Sequence, residues 1–385
     1  MSVSVHNGLV TSWSRSQYCR SQILDDLNVN AHTHRSDGGH TGRSSPSTRG
    51  NTVLKKSLVA ACAITLSSVS LTACGSSDSD SGSGSSGSSD SLTMGFAQVG
   101  AESGWRTANT KSIKESAKEE GVQLKFSDAQ QKQENQIKAI RSYIQQKVDV
   151  IAFSPVVETG WDTVLLEAKR AKIPVILTDR SVDSTDDSLY ETFLGSDFVE
   201  EGEKAGQWLV DNAADADPNG DGKINVVELE GTTGAAPAID RQKGFNDTIA
   251  ADTKIKVLAS QTGDFTRDGG KKVMESFLKS QKGIDVVYAH NDDMGLGAME
   301  AIKAAGMKPG TDVKIITVDA VKDGMTALAN GEFNYIVECN PLLGPQLMGL
   351  AKKVVDGKEV PKRVVTEETA FDQAGAKEVL AERQY

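Results

Sequence analysis

The chain has 385 residues, 38% of them hydrophobic and 25% charged, which is enough for two domains with separate cores. Acidic residues outnumber basic ones by 53 to 42, a net charge of −11. That balance excludes nucleic acid as a main partner.

Residues 1–52 are rich in Ser, Arg, His, Thr and Gly and carry no sustained apolar periodicity. They read as a disordered leader or as sequence upstream of the true start. Residues 53–73 have the order of an export signal. Lys55 and Lys56 are the positive segment, and Leu58 to Leu71 is a short apolar run too rich in Ser and Thr for a membrane span. Leu71 to Cys74 reads LTAC, which resembles the lipobox of bacterial lipoproteins. That resemblance implies diacylglycerol on the Cys74 thiol, a membrane anchor and an outward-facing protein. Of the other cysteines, Cys19 and Cys62 precede Cys74, so Cys339 is left without an intrachain partner and no structural disulfide is expected. Gly75 to Ser91 contains no apolar residue and reads as a flexible tether spanning on the order of 20–25 Å.

From Leu92 strands and helices alternate. LTMGFAQ is a strand, followed by a turn and a helix that Gly121 stops. Val122 to Asp128 alternates as a strand, and Ile137, Ile140 and Ile144 mark one helix face. Val148 to Pro155 is a buried-strand run, and Trp161, Val164, Leu165 and Ala168 mark the next helix. Ile173 to Arg180 and Thr192 to Ser196 are two more strands. A second set follows in INVVELEG, KVLASQTGDF, IDVVYAHND and VKIITVDA, and Asn334 to Pro341 reads as a return crossing. Two such sets predict an α/β chain of two lobes, each a parallel sheet flanked by helices.

The strand ends carry the chemistry. Glu102, Ser103, Trp105 and Arg106 follow the first strand; Asp128, Asp179–Arg180, Asp264–Phe265, Asn291–Asp292 and Asp319 close others. Arg241 opens a helix. Ligands of open α/β sheets bind at such strand ends. Asp, Asn and Arg suit paired sugar hydroxyls, and Trp105 and Phe265 suit the apolar face of a sugar ring. Taken singly, each acid is also a plausible helix cap, and Arg241 a surface ion pair. A second motif, DPNGDGKINVVE from Asp217 to Glu228, matches the calcium-loop template with Asp217, Asn219 and Asp221 as oxygen donors. The same template makes Glu228 the last ligand, but INVVELEG reads as a strand.

The segments GFAQVGAESGWR, QQKQENQIKAIRSYI, SPVVETGW, ILTDRSVD, VVELEGTTGAAPAIDRQKGF, QTGDFTR and VYAHNDDM resemble the periplasmic sugar-binding proteins of ABC transporters. Within the ribose- and galactose-binding type they look most like galactofuranose binders. The resemblance implies the two-lobed type I periplasmic-binding-protein fold, with the ligand in the interlobe cleft. It divides the chain into one lobe of residues 92–195 plus 340–365 and another of 196–339 plus 366–385. It implies sugar contacts from Glu102, Ser103, Gly104, Trp105 and Arg106, from Asp179 and Arg180, and from Arg241, Phe265, Asn291, Asp319 and Asn340. VDA, Val318 to Ala320, has alanine where the family pattern has glycine. By the same resemblance, Asn225, the Lys223 carbonyl and a remote Asp285 would complete a structural calcium site.

An enzyme reading would need a nucleophile, acid or base. Four of the five histidines lie in the leader, leaving His290, and there is no Walker loop or Ser-His-Asp pattern. The expectation is a lipid-anchored monomer that needs no catalytic cofactor. It captures a monosaccharide by hinge closure and hands it to a membrane permease. An exported sugar-processing enzyme and a sensor feeding a signalling partner are the alternatives.

Overall fold

The structure is a computed structural model that describes residues 91–385; the leader, the signal segment, Cys74 and most of the tether lie outside them. The first run of elements is β1 (Thr93–Gln98), α1 (Gly104–Glu119), β2 (Gln123–Asp128), α2 (Gln133–Gln145), β3 (Val150–Phe153), α3 (Asp162–Arg170), β4 (Val175–Thr178) and β5 (Thr192–Gly195). The second is α4 (Phe198–Asp211), β6 (Ile224–Glu230), α5 (Ala236–Ile249), β7 (Ile255–Thr262), α6 (Arg267–Ser280), β8 (Val286–Ala289), α7 (Asp292–Ala304), β9 (Lys314–Asp319), α8 (Lys322–Ala329) and β10 (Tyr335–Glu338). The chain ends with α9 (Gly344–Val355), β11 (Arg363–Val365), β12 (Ala370–Phe371) and α10 (Gln373–Val379).

These strands form two six-stranded sheets. One has the order β11-β5-β4-β3-β1-β2 and the other β12-β10-β9-β8-β6-β7. Every pairing is parallel except that of β10 with β12. Helices cover both faces, so the central strands are apolar without alternation. VIAF of β3, VILT of β4 and VVYA of β8 are buried at every position. This is the two-lobed type I periplasmic-binding-protein fold.

Each lobe has a core on either face of its sheet. In the first, Phe153 packs on Trp161 with ring centres 4.9 Å apart; in the second, Phe245 stacks on Tyr288 at 4.1 Å. Each such ring contributes roughly 1.5–3 kcal/mol of burial. On α2, Ile140 is fully buried, while Ile137 and Ile144 are half-buried at its edge.

Within the described residues the chain passes between the sheets three times: after β5 at Ser196, after β10 at Cys339 to Leu343, and between β11 and β12 at Thr366 to Thr369. NYIVECNP is therefore a sheet strand first and a crossing only from Cys339 onward. The parallel strands of both sheets point their carboxyl ends at the space that these crossings bridge.

Candidate ligand-binding site

A polar cavity lies where these strand ends meet. Glu102, Ser103, Trp105, Arg106, Asp179, Arg180, Arg241, Phe265, Asn291 and Asp319 all line it. Sequence reasoning did not anticipate Pro237 and Cys339, which complete the lining.

The first lobe supplies a buried ionic network. Arg106 Nη2 reaches Asp179 Oδ2 at 2.7 Å and its Nε donates to Glu102 Oε1 at 3.0 Å. Gln98 and Ser154 hold the remaining edge of Arg106 from neighbouring strands. Burial alone would lower the pKa of Arg106, but Asp179 and Glu102 more than offset it and the net direction is up. Arg180 is held more loosely. Its Nη1 donates to the Val156 carbonyl at 3.2 Å, and its nearest carboxylates are 3.5 and 3.8 Å away. Its pKa falls to about 10, first through burial and then through the charge of Arg106.

The second lobe supplies Arg241, whose Nε donates to Glu201 Oε2 and whose Nη1 donates to the His290 carbonyl, both at 2.6 Å. Its pKa is raised, because Glu201 and other acidic neighbours outweigh burial. Burial drives the Asp319 carboxyl well above the ordinary carboxylate range, against the pull of Arg241. Ser103 and Asn291 cap α1 and α7 through Arg106 N and Met294 N while also lining the cavity. The capping role and the lining role thus coexist.

Glu102 Oε2, Arg180 Nε and Asp319 Oδ2 are buried and have no hydrogen-bond partner within the protein. Native interiors rarely leave such atoms unpaired, so they mark where a polar ligand would bond. Backbone strain collects here too. Asp179, Phe265, Asp319 and Ala320 have φ of 64°, 60°, 124° and 64°, a region costly to residues with a side chain and typical of functional sites. Ala320 thus stands where glycine would be unstrained, and Arg383 Nε donates to its carbonyl at 2.8 Å. The Phe265 ring fits only because Gly231 has no side chain; a Cβ there would lie 1.9 Å from its Cζ.

The lobes are closed over the cavity. Trp105 of α1 packs into the second lobe's core and its Nε1 donates to the Cys339 carbonyl at 2.6 Å. Gly104 N donates to Asp293 Oδ2 at 2.7 Å, and Glu158 N to the Gly234 carbonyl at 2.9 Å. Arg180 lies 5.2 Å from the centre of the Phe265 ring on the other lobe.

Two predicted contacts move. Gly104 does not line the cavity, since its amide is spent on the Asp293 bond. Asn340 is also outside it: its Oδ1 accepts from Leu342 N and its own N donates to Glu368. The preceding residue, Cys339, takes the lining position instead. Asp128 and Asp264 are exposed; each accepts a local turn hydrogen bond, Asp128 from Gln130 N and Asp264 from Thr262 Oγ1.

The Asp217–Asn225 loop is a turn held by its own amides. Asp217 accepts from Asp221 N and Gly222 N, Asn219 from Asp221 N, and Asp221 from Lys223 N. Asp285 does arrive from a distant segment, as expected, but accepts from Asn225 N at 2.8 Å and from Asn219 Nδ2 at 3.5 Å. Among the described residues, the one place where three acid or thiol groups converge within 4.8 Å is elsewhere, at Glu201, Cys339 and Glu368. Glu228 is fully buried beside His290, which rules it out as a loop ligand. The loop thus has the donor types of a calcium site, with Asp285 brought beside it from a distant segment. Stripping calcium with EGTA tests the loop: an unchanged melting temperature would leave it a turn held by its own amides. A chelator-sensitive melt would show that the carboxylates turn inward on an ion.

Two sheets with strand ends converging on one closed polar cavity, bridged by three crossings, define a two-lobed solute-binding protein. Residues 94–359 match the model of the periplasmic binding protein domain, and the chain belongs to that family of solute-binding proteins. It is 50% identical over 297 residues to the galactofuranose-binding protein of Escherichia coli, covering 76% of this chain and 91% of that one. A Mycobacterium smegmatis protein in complex with β-D-fucofuranose is 67% identical, with a TM-score of 0.74 over 77% of this chain and 96% of the other. The binding protein of the Shewanella sp. ANA-3 arabinose ABC transporter, bound to α- and β-L-arabinofuranose, is 50% identical. Its TM-score is 0.72, over 76% of this chain and 96% of that one.

Proposed function

We propose that this chain is the capture component of an ABC importer, anchored outside the cell membrane by a lipid on Cys74. Its ligand is a monosaccharide in the five-membered ring form, galactofuranose first among them. The observation that carries this reading is the cavity lined by three guanidinium and three carboxyl groups and walled by Trp105 and Phe265. Guanidinium donors and carboxyl acceptors in equal number suit a neutral ligand rich in hydroxyls, and the two rings suit its apolar face. The cavity is closed by bonds that join the lobes, so capture goes with hinge closure and the closed form is what a permease would receive.

The ligands of the three relatives narrow the choice. In D-galactofuranose, D-fucofuranose and L-arabinofuranose the ring carbons C2 to C4 share one configuration; the sugars differ in the chain that C4 carries. A site of this type therefore reads the ring and tolerates the tail. Calorimetric titration of residues 92–385 with D-galactose, D-fucose, L-arabinose and D-ribose tests the reading. The first three should bind and ribose, of different configuration, should bind at least about 100-fold more weakly. Because only the furanose fraction of each free sugar is competent, apparent affinities fall by that fraction. Binding of ribose alone would refute the ring assignment, and binding of no sugar would refute the sugar class.

A further inference from the structure

All three crossings between the lobes meet at one cluster. Ser196 belongs to the first, Cys339 and Asn340 to the second, Thr366 and Glu368 to the third. Ser196 Oγ and Thr366 Oγ1 both donate to Glu368 Oε1, the latter at 2.9 Å, and Asn340 N donates to the same oxygen at 3.0 Å. Ser196 Oγ also lies 3.4 Å from Cys339 Sγ. Glu201, at the start of α4, completes the cluster, with ligand atoms of Glu201, Cys339 and Glu368 all within 4.8 Å. One Glu201 oxygen holds Arg241 in the cavity at 2.6 Å; the other, Oε1, is buried and no protein donor reaches it. Two ionised carboxylates in so small a buried space repel, and such pairs keep one proton between them.

We propose that Glu368 is a positioning residue for the ligand site: a proton held between its carboxyl and that of Glu201 keeps the crossings together and Glu201 on Arg241. Arg241 fixes Glu201 as the ionised partner, so Glu368 carries the proton. Burial first, and then the charge of Glu201, raise the Glu368 carboxyl to about 8. Other groups face the cluster. Cys339 is pushed up by burial and held as the thiol. Lys204 lies beside it, donating to the Glu368 carbonyl and pairing with Glu200. Arg363 pairs with Asp197 and donates to the Ser196 carbonyl. Asp319 lies beyond Arg241. A cleft lined by Asp197, Glu200, Lys204 and Thr366 to Glu368 opens beside the site, and Glu368 is only part-buried, so the proton can exchange.

The proposal rests on ligand capture by hinge closure, which tightens a cluster that the three crossings already hold together without ligand. A group whose pKa is higher in the closed form than in the open one takes up a proton on binding. Its contribution to affinity is complete below the open-form value and is lost as pH rises toward about 8. The test is titration of wild type and Glu368→Gln with L-arabinose and D-galactose from pH 5 to 9, in buffers of different ionisation enthalpy. Wild type should bind about tenfold more weakly at pH 8 than at pH 6, relative to the variant. It should also take up roughly half a proton to one proton more than the variant at pH 7. Taking the difference removes any proton exchanged at Asp319. Parallel pH profiles and equal proton numbers in the two proteins would overturn the proposal. Melts without sugar provide a separate reading. Wild type should lose several degrees relative to Glu368→Gln between pH 6 and 9.5, and equal losses would overturn the shared proton even if no sugar bound to either protein.

Discussion

Replacing Arg180 by alanine is expected to weaken sugar binding about a thousandfold, or about 4 kcal/mol, while shifting the melting temperature by no more than about 3 °C. The asymmetry follows from how the first lobe shares its charges. Arg106, not Arg180, makes the short bonds to Asp179 and Glu102, at 2.7 and 3.0 Å. Removing Arg180 leaves both carboxylates paired and relieves its repulsion with Arg106, which contributes to the fall in its own pKa. The fold therefore loses little. The ligand loses a buried guanidinium whose Nε has no protein partner and whose plane lies over Phe265. Lysine at this position should recover little, because a point charge cannot reproduce the fork of donors. Calorimetry and thermal melts on the two variants check this. Affinity within tenfold of wild type in Arg180→Ala would remove Arg180 from the site.

The strand ends were legible because parallel sheets put them all on one edge. A buried run such as VDVIAFSP or IPVILTDR can turn polar only where it leaves the sheet, so Asp179 and Arg180 announced themselves. The division of labour among the arginines was not legible. Arg106, Arg180 and Arg241 are equivalent as letters, and only distances show that Arg106 braces the site while Arg180 is left free to bond. Glu201 was invisible for a related reason: in FVEEGEKAGQW it reads as one more acid on a helix surface, and its burial depends on α5 packing against α4. The two short strands β11 and β12 have three and two residues, too few to carry a periodicity. The third crossing, at 365–366, was therefore implied only by the family resemblance, and Glu368 just beyond it drew no notice. Asn340 was misplaced by a single residue, because the polar letter drew attention and its neighbour Cys339, an apolar lining residue with a useful carbonyl, did not.

Arg241→Ala should also abolish tight binding, but unlike Arg180→Ala it is expected to damage the fold. Arg241 and Glu201 are 3% and 1% exposed, and the pair is 2.6 Å apart. Deleting the arginine leaves Glu201 as a buried charge beside Glu368, with no counterion. Breaking a buried pair in this way costs about 3–5 kcal/mol, which for a protein of this size corresponds to a melting temperature lower by about 10 °C. The double variant Arg241→Met with Glu201→Gln separates the two losses. Methionine fills much of the guanidinium's space and glutamine carries no charge, and neutral replacements of buried pairs are often tolerated. The double variant should therefore recover more than half of the lost melting temperature and none of the sugar affinity. If affinity returned with stability, Arg241 would be acting through the fold alone. If neither returned, the packing of α4 on α5 rather than the stranded charge would account for the instability. Recovery of stability without binding is the outcome that follows from an arginine held by Glu201 and the His290 carbonyl, with its remaining edge on the cavity.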